Sequence, residues 1–536
     1  MKTLYIFIFL LFGITNASKA EVLEEIKNYI LARTTEGAVQ TDNYCAFRHQ
    51  LDLKLQLKNL PPELKKEAAI LLARPARQAS AISASGHFTL HYDTSGYHAV
   101  PPEDIAQNGI PDYIDSALVI FDHVWDVEIN QLGFQPPPAS DGSAAENYHI
   151  YFTKSYSYYG WTTPELQMSG PPVNTFTSFI EINANFYQTH FYTGGLNALR
   201  VTAAHEFNHA IQLGYNLRID EYGNYPDLFF LEMTSTWLED YVYDEVNDYY
   251  QYLKNFIPNI DKIKFNAAYS NYEYANSLYL HMLSEKYSAE IVSEIWREIV
   301  DKEAIPALNC VLRTHGSSFA NSQNGYACWL YFTGERSIAG RYFPEAARYP
   351  MLTPISSQED IEKDLGSLQM RHGLVSVADS LVFMAKIKSQ NHDGRLNHVN
   401  DKGVMHSAVR FGGAQSVYKD PESGTPVAVL SNPTENVIEN VVYELKLHKP
   451  LAGPNPLRVK QSGESMIFYN VPPRGKIYIY SLNGRHLTTI SSRADRRAQV
   501  DWDLRDKTGA AIVSGIYIFL VKNDDKESQG KFAVVR

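Results

Sequence analysis

The chain has 536 residues, enough for roughly three or four domains. With 44% hydrophobic and 20% charged residues it has the composition of ordinary folded protein, which excludes a collagen-like or disordered chain. A formal net charge of −12 leaves no basic stripe for phosphates, so nucleic acid is excluded as a partner and anionic membranes are disfavoured.

The first twenty residues, MKTLYIFIFLLFGITNASKA, combine Lys2, an apolar run from Leu4 to Ile14, and the small residues Ser18 and Ala20, the pattern of a secretory signal peptide. No later stretch approaches about 20 apolar residues, so no transmembrane segment is expected in the mature chain. The three cysteines allow one disulfide, with Cys310 and Cys328 the more local pair and Cys45 the odd one out. Residues 21–85 are rich in helix formers, and LPPELKKEAAILLARPARQAS reads as a Pro-started helix ending at Pro75, a helical N-terminal segment or a propeptide.

From His87 the pattern alternates, predicting a strand in HFTLHYDTSG. A helix is expected from Ile114 to about Leu132, then a strand in NYHIYFTKS and another in TFTSFIEINANFY, which we expect at a sheet edge where it could align an extended substrate. Further helices are expected over Asp227 to Tyr243, Tyr274 to Lys286, and Ser288 to about Val300. Residues 354–447 read as short strands, and an all-β module with the turns LNG and KTG follows GPNPL.

The segment AHEFNHA carries the chemistry. Residues four apart stack on one helix face, so His205 and His209 can present two imidazoles to one ion while Glu206 leans towards the same point. Ala203, Phe207, Ala210 and Gly214 form an apolar stripe on the opposite side, with Asn197 or Thr193 available to cap the helix and Gly214 to end it. Catalytic zinc needs a third protein ligand and an open fourth position. Gln212 and Tyr215 stand where a metzincin would have Gly and His, so the third ligand is sought elsewhere, and Glu232 in FFLEMTSTWLEDYVY is the better candidate. In such a site Glu206 is the general base for attack of water on a peptide carbonyl. Tyr272 or Tyr274 is the candidate donor to the developing oxyanion, and Glu239, on the face of Glu232, could orient one of the histidines.

HEFNH followed by EMTSTWLE resembles the gluzincin arrangement, and with HYDTSG, NGIPDYID, YYGWTTPE, YEYANSLYLHML and CWLYFTGERSIAGRYFPEAARYP it is similar to a group of secreted bacterial metalloproteases over roughly residues 45–350. The resemblance implies a zinc-dependent metallopeptidase with His205, His209 and Glu232 as zinc ligands and Glu206 as base; Met233 and Ser235 depart from the small Gly and Ala usual there. GPNPL, KIYIYSLNGR, VDWDLRDKTGAAIVSGIYIFLV and GKFAVVR resemble the immunoglobulin-like sorting domains of type IX secretion, which implies export through the periplasm to the surface or medium, with the secretion machinery as a partner.

A second ion is suggested by Asp104, Asn108, Asp112 and Asp115, which fall at positions 1, 5, 9 and 12 of a calcium loop with Gly109 at 6, although Ala106 occupies position 3. A Gly turn before a helix capped by Asp112 explains the same residues without calcium. The expected architecture is α+β: signal peptide 1–20, helical segment or propeptide 21–85, zincin-like domain 86–350, β-rich domain 351–450 and immunoglobulin-like sorting domain 451–536. The expected function is hydrolysis of protein or peptide substrates with Zn2+, and the alternative is a non-catalytic adhesin or glycan-binding protein with a vestigial site, using Tyr-rich loops. If residues 21–80 are a propeptide, an unpaired Cys45 is placed to occupy the zinc.

Overall fold

The computed structural model describes residues 19–34, 45–139, 143–144, 147–187, 191–219, 225–375, 382–418, 425–447, 451–453, 457–458, 465–469, 471, 475–492, 499–523 and 526–536. The signal-peptide reading therefore falls almost wholly outside the described residues. The chain divides into two compact units, Met1–Ile257 with Phe265–Phe319, and Pro258–Lys264 with Ala320–Arg536. The architecture is mixed α and β with several sheets, compatible with the α+β expectation. No helix among the described residues is long and apolar enough to cross a membrane.

The first unit begins with three helices, α1 (Lys19–Thr34), α2 (Phe47–Gln56) and α3 (Pro62–Leu71). α3 starts where the sequence places it, with Pro62 in its first turn, because proline lacks the N–H that a helix start leaves unpaired anyway. The helices share a core of Ile26, Tyr29, Ile30, Leu53 and Leu60 that closes on Tyr158 and Trp161.

The sheet that follows has the order β1 (Ala79–Ile82), β2 (Phe88–Tyr92), β3 (Tyr148–Thr153), β5 (Phe176–Asn183), β4 (Gly160–Gln167). The strands β2, β3 and β5 run parallel, while β4 lies antiparallel at the edge. This corrects one expectation: SFIEINANF is an interior strand with every residue from Phe176 to Asn183 buried, and the edge belongs to β4. Burial of every residue, the polar ones included, suits a strand covered on both faces and flanked by two others.

Helix α4 (Asp112–Trp125) continues as a π-helical turn over Asp126–Gln131, ending about where the apolar period predicted. Helix α5 (Gly195–Gln212) carries the HEFNH segment and starts at Gly194, with neither Thr193 nor Asn197 capping it by a side chain. It packs against α4, β4 and β5 and against α6 (Leu228–Val242). The stripe reading is therefore incomplete: from Val201 to Gln212 every residue of α5 is buried, the histidine face as fully as the Phe207 face. Phe207 sits among Phe88, Trp125 and Tyr148, a burial worth about 1.5–3 kcal/mol for such a ring.

The expected helix over Tyr274 to Lys286 is two, α8 (Tyr272–Ala275) and α9 (Leu278–Lys286), preceded by α7 (Tyr250–Phe256). α10 (Ile291–Ile299) lies within its predicted span, and α11 (Ala304–Thr314), like α12 (Phe319–Tyr331), was not anticipated. All three thiols are free, so Cys310 and Cys328 form no disulfide.

In the second unit, a three-stranded sheet β10 (Ala414–Tyr418), β7 (Val382–Lys388), β12 (Val442–Leu447) and a four-stranded sheet β6 (Met370–Leu374), β11 (Val427–Ser431), β8 (Arg395–Val399), β9 (Val409–Arg410) share one core that includes Ile387, Leu396, Val417 and Leu430. Then β13 (Leu451–Gly453), β15 (Met466–Tyr469) and β18 (Gln499–Trp502) form one sheet, and β14 (Leu457–Arg458), β20 (Lys526–Val535), β19 (Gly515–Asn523), β16 (Lys476–Ser481) and β17 (His486–Ser491) form another. Phe468, Trp502, Phe519 and Phe532 knit these two sheets into a sandwich core. The turn LNG joins β16 to β17, and Gly484 takes the φ of +83° that a side chain would resist.

Candidate metal centre

Helix α5 brings His205 and His209 to one point because four residues make about one turn. The neighbouring α6 lays Glu232 and Glu239 along the facing side. His205 Nε2 and His209 Nε2 are 3.1 Å apart, and Glu232 Oε2 is 3.3 Å from the first and 3.4 Å from the second. Two ligands about 2.05 Å from a tetrahedral zinc are about 3.3 Å apart, so these spacings fit the edges of such a polyhedron.

Cys45 completes the group. Its Sγ and the three other donor atoms all lie within 4.8 Å of one another, and all four residues are buried. Among the described residues this is the one gathering of three or more His, Cys, Asp or Glu side chains fit to hold a metal.

The outer ring nitrogens are already committed. His205 Nδ1 faces Glu239 Oε1 at 2.6 Å, and His209 Nδ1 faces Gln212 Oε1 at 2.8 Å. Both Nδ1 atoms thus donate outward, leaving both Nε2 lone pairs aimed inward. Glu232 Oε2 is buried there without a hydrogen-bond donor. Two imidazole nitrogens and a carboxylate oxygen converge there with only the Cys45 thiol able to donate among them, and Glu232 Oε2 stays unpaired; a cation of the zinc type satisfies all four, so the residues present fit the metal.

The electrostatics follow from this crowding. Burial would raise the Glu232 carboxyl, but the two imidazoles override it and hold it well below the usual carboxylate range. Burial pushes the Glu239 carboxyl up to about 7 despite its bond to His205. The Cys45 thiol is pushed well up by burial and then by the charges of Glu206 and Glu232.

Glu206 follows His205 on the helix, and Thr162 Oγ1 of β4 lies 2.8 Å from both its carbonyl O and its Oε2. That approach depends on Gly160: a Cβ there would stand 2.8 Å from Thr202 Cγ2 and 3.1 Å from Glu206 Cγ. Of the two tyrosines, Tyr274 is at the centre, buried, with its ring stacked 6.0 Å from that of His205. Tyr272 is not, packing instead with Phe256 and Tyr269.

Beside the centre is a cavity of about 290 Å3 whose walls include Tyr29, Arg48, Glu232, Glu273 and Tyr274. Burial pushes the Glu273 carboxyl up to about 7. Glu273 and Thr162 were assigned no role from the sequence, and Gln212 entered only as a departure from the metzincin pattern. Gln212, three residues after His209, could have been found from helical spacing; Thr162 and Glu273 carry no local signal.

The three aspartates of the calcium reading, Asp104, Asp112 and Asp115, do not gather as a metal-holding group. Asp104 accepts from the backbone N–H of Asn108 and Gly109, Asp112 from those of Ile105 and Ala106, and Asp115 from Asn108 Nδ2. Turn bonding accounts for all four, with Asp112 inside the first turn of α4 rather than capping it.

No curated protein matches the chain. Among solved structures, similarity extends to PorZ, a surface component of the type-IX secretion system of Porphyromonas gingivalis, at 26% identity over 16% of this chain and 11% of that one, with a TM-score of 0.15. It extends also to dimeric latent PorU from Porphyromonas gingivalis, at 16% identity over 35% of this chain and 22% of that one, TM-score 0.15. The BSP domain of a biofilm-associated protein is 14% identical over 32% of this chain and 27% of that one, TM-score 0.15. This chain thus spans only a minor part of each, and such scores do not establish a common fold. A family profile described as a family of unknown function, DUF6055, matches residues 76–328, the stretch that contains His205, Glu206, His209 and Glu232.

Proposed function

We propose that the protein is a secreted zinc-dependent metallopeptidase of gluzincin type, with His205, His209 and Glu232 holding the metal and Glu206 as general base. The observation that carries this reading is the convergence of the two Nε2 atoms and Glu232 Oε2 within 3.1–3.4 Å, beside a second glutamate that none of the three needs for its own bonding. A purely structural metal has no use for that glutamate. Zinc, when bound, supplies a Lewis acid and an acidified water. Glu206, its Oε2 held by Thr162 Oγ1, would serve as the base that accepts a proton and returns it to a leaving amine.

Glu239 and Gln212 fix the two imidazole rings in the tautomer that a metal requires. Tyr274 is the donor we assign to the oxyanion, and the edge strand β4 is where an extended peptide would pair. The zincin-like assignment is supported by a mixed sheet whose antiparallel edge strand adjoins the helix bearing HEFNH. The apolar N-terminal run and the C-terminal sandwich motifs support export by way of a type IX sorting domain.

Metal analysis of the purified protein is expected to find about one zinc per chain. Glu206→Gln is expected to keep the zinc and lose at least about 10²–10⁴-fold in peptide hydrolysis. Zinc absent even after soaking, or hydrolysis unchanged in the variant, overturns the proposal.

A further inference from the structure

We propose that Cys45 is a fourth ligand of the same metal and that helices α1, α2 and α3 form with it a latch, holding the site closed until they are released. This rests on the reading of His205, His209 and Glu232 as ligands. Structural zinc sites are closed by four protein ligands, whereas hydrolytic sites keep one position for water. Here four donors are gathered, so one must leave before a peptide can be cut.

Three of the four sit on α5 and α6, buried between the sheet and the helices of the first unit. Cys45 alone stands outside them, on the segment just before α2. Its segment is built as an insert into the cleft. Cys45 makes a parallel bridge to Gly160, with Ala46 N–H donating to Gly160 O at 3.3 Å. The segment thus pairs at the start of edge strand β4, next to Glu206, where an extended peptide would add itself.

Phe47 then stacks on His209 with ring centroids 4.1 Å apart and planes 11° apart, and its N–H donates to Cys45 Sγ at 3.3 Å. The thiol is thereby aimed at the centre.

The rest of the latch docks through its own small core. Ile26, Tyr29, Ile30, Leu53 and Leu60 close on Tyr158 and Trp161, which flank Gly160 in sequence. Arg33 adds a cation–π contact 3.7 Å from the Trp161 ring. Beyond α3 the chain runs as a linker over 73–78 with no helix or strand, and Ala73, Arg74, Ala76 and Gln78 are exposed. The family match begins within that linker, at residue 76, leaving the latch outside it.

Release follows if a separate endopeptidase hydrolyses a linker peptide bond, water adding across the C–N bond to leave a carboxylate and an amine. The freed segment carries the thiol away, and Tyr158 and Trp161 become an apolar wall for a substrate.

The test uses the full chain loaded with Co2+ in place of zinc. A thiolate-to-cobalt charge-transfer band in the near ultraviolet is expected, absent in Cys45→Ala although that variant still binds cobalt. Cys45 should resist iodoacetamide while metal is bound and react once a chelator removes it, as read by peptide mass spectrometry. Hydrolysis of an unstructured peptide by intact Cys45→Ala should exceed that of the intact wild type by at least about tenfold, the latched form being the major population. Cleavage of the wild type in the linker should give a similar rise with a red shift of tryptophan emission.

Cobalt bound without the thiolate band overturns the latch and leaves the peptidase reading standing. The band with no gain in hydrolysis by Cys45→Ala or by linker cleavage shows a permanently closed structural site, again overturning the latch. No metal bound at all overturns both. The band and the alkylation are read on the wild type, so poor folding of the variant does not blunt the test.

Discussion

Two buried histidine environments in this molecule look alike by burial and differ in what they leave over. In the β-rich part of the second unit, His398 is 1% exposed, with Nδ1 bonded to Gln415 Oε1 and Nε2 2.7 Å from Tyr443 Oη. Each ring nitrogen meets a group of the opposite polarity, one donating and one accepting. In the first unit His205 and His209 are 5% and 0% exposed, and only their outer nitrogens are matched in that way. Their inner nitrogens face each other and a carboxylate oxygen. A buried polar group that is fully paired stabilises a fold; one whose lone pairs converge unpaired is waiting for a ligand.

That contrast can be broken at several points. The largest expected effect is at Glu232: Glu232→Ala should leave no zinc after dialysis, measured by metal analysis, while His398→Ala leaves zinc content unchanged. His398→Ala should instead lower stability by about 3 kcal/mol, because it strands the Tyr443 hydroxyl and the Gln415 amide in the core. Denaturant unfolding checks this; a loss under about 0.5 kcal/mol would mean that His398 is not held as described.

A smaller effect is expected at Glu239, which touches His205 and not the metal position. Glu239→Gln should weaken zinc binding about 10–100-fold in chelator competition with the fold intact. Unchanged affinity would show that the outer bond does not orient the ring.

The smallest effect near neutral pH comes from titration. Burial holds His398 at about 3, well below the ordinary imidazole value near 6.5. The folded form therefore resists a proton that the unfolded chain accepts, so stability is full above about pH 6.5 and falls by about 1.4 kcal/mol per pH unit below it, until the folded value is reached. Replacing His398 by Leu should flatten that part of the stability profile.

Much of this was legible in the chain itself. HEFNH lies on one helix and Glu232 and Glu239 share a face of the next, since each is a matter of helical period within a short span; that the two helices face each other was suggested by the short gap between them and by the resemblance. The strands around Phe88, Tyr148 and Phe176 were likewise visible as β-branched and aromatic runs. Other features were not. That SFIEINANF is interior and Gly160–Gln167 is the edge depends on strand order, which a local pattern does not carry. Tyr274 and Tyr272 read equally well in one dimension, and only the packing of α8 turns the first towards His205.

Cys45 marks the limit most clearly. As the odd cysteine of three, its residue type alone makes it a metal-binding candidate, since a thiol wants either a partner sulfur or a metal. Its position 160 residues before His205 says nothing about where it sits. Tertiary structure brought it to the histidines by pairing its backbone with Gly160, the one position on the edge strand where the missing side chain lets strand, helix and inserted segment meet. Residue types and short-range periods thus set which donors exist and which way they face along a helix; strand order and packing decided which of them share one point, because that depends on contacts between parts of the chain that no local pattern links.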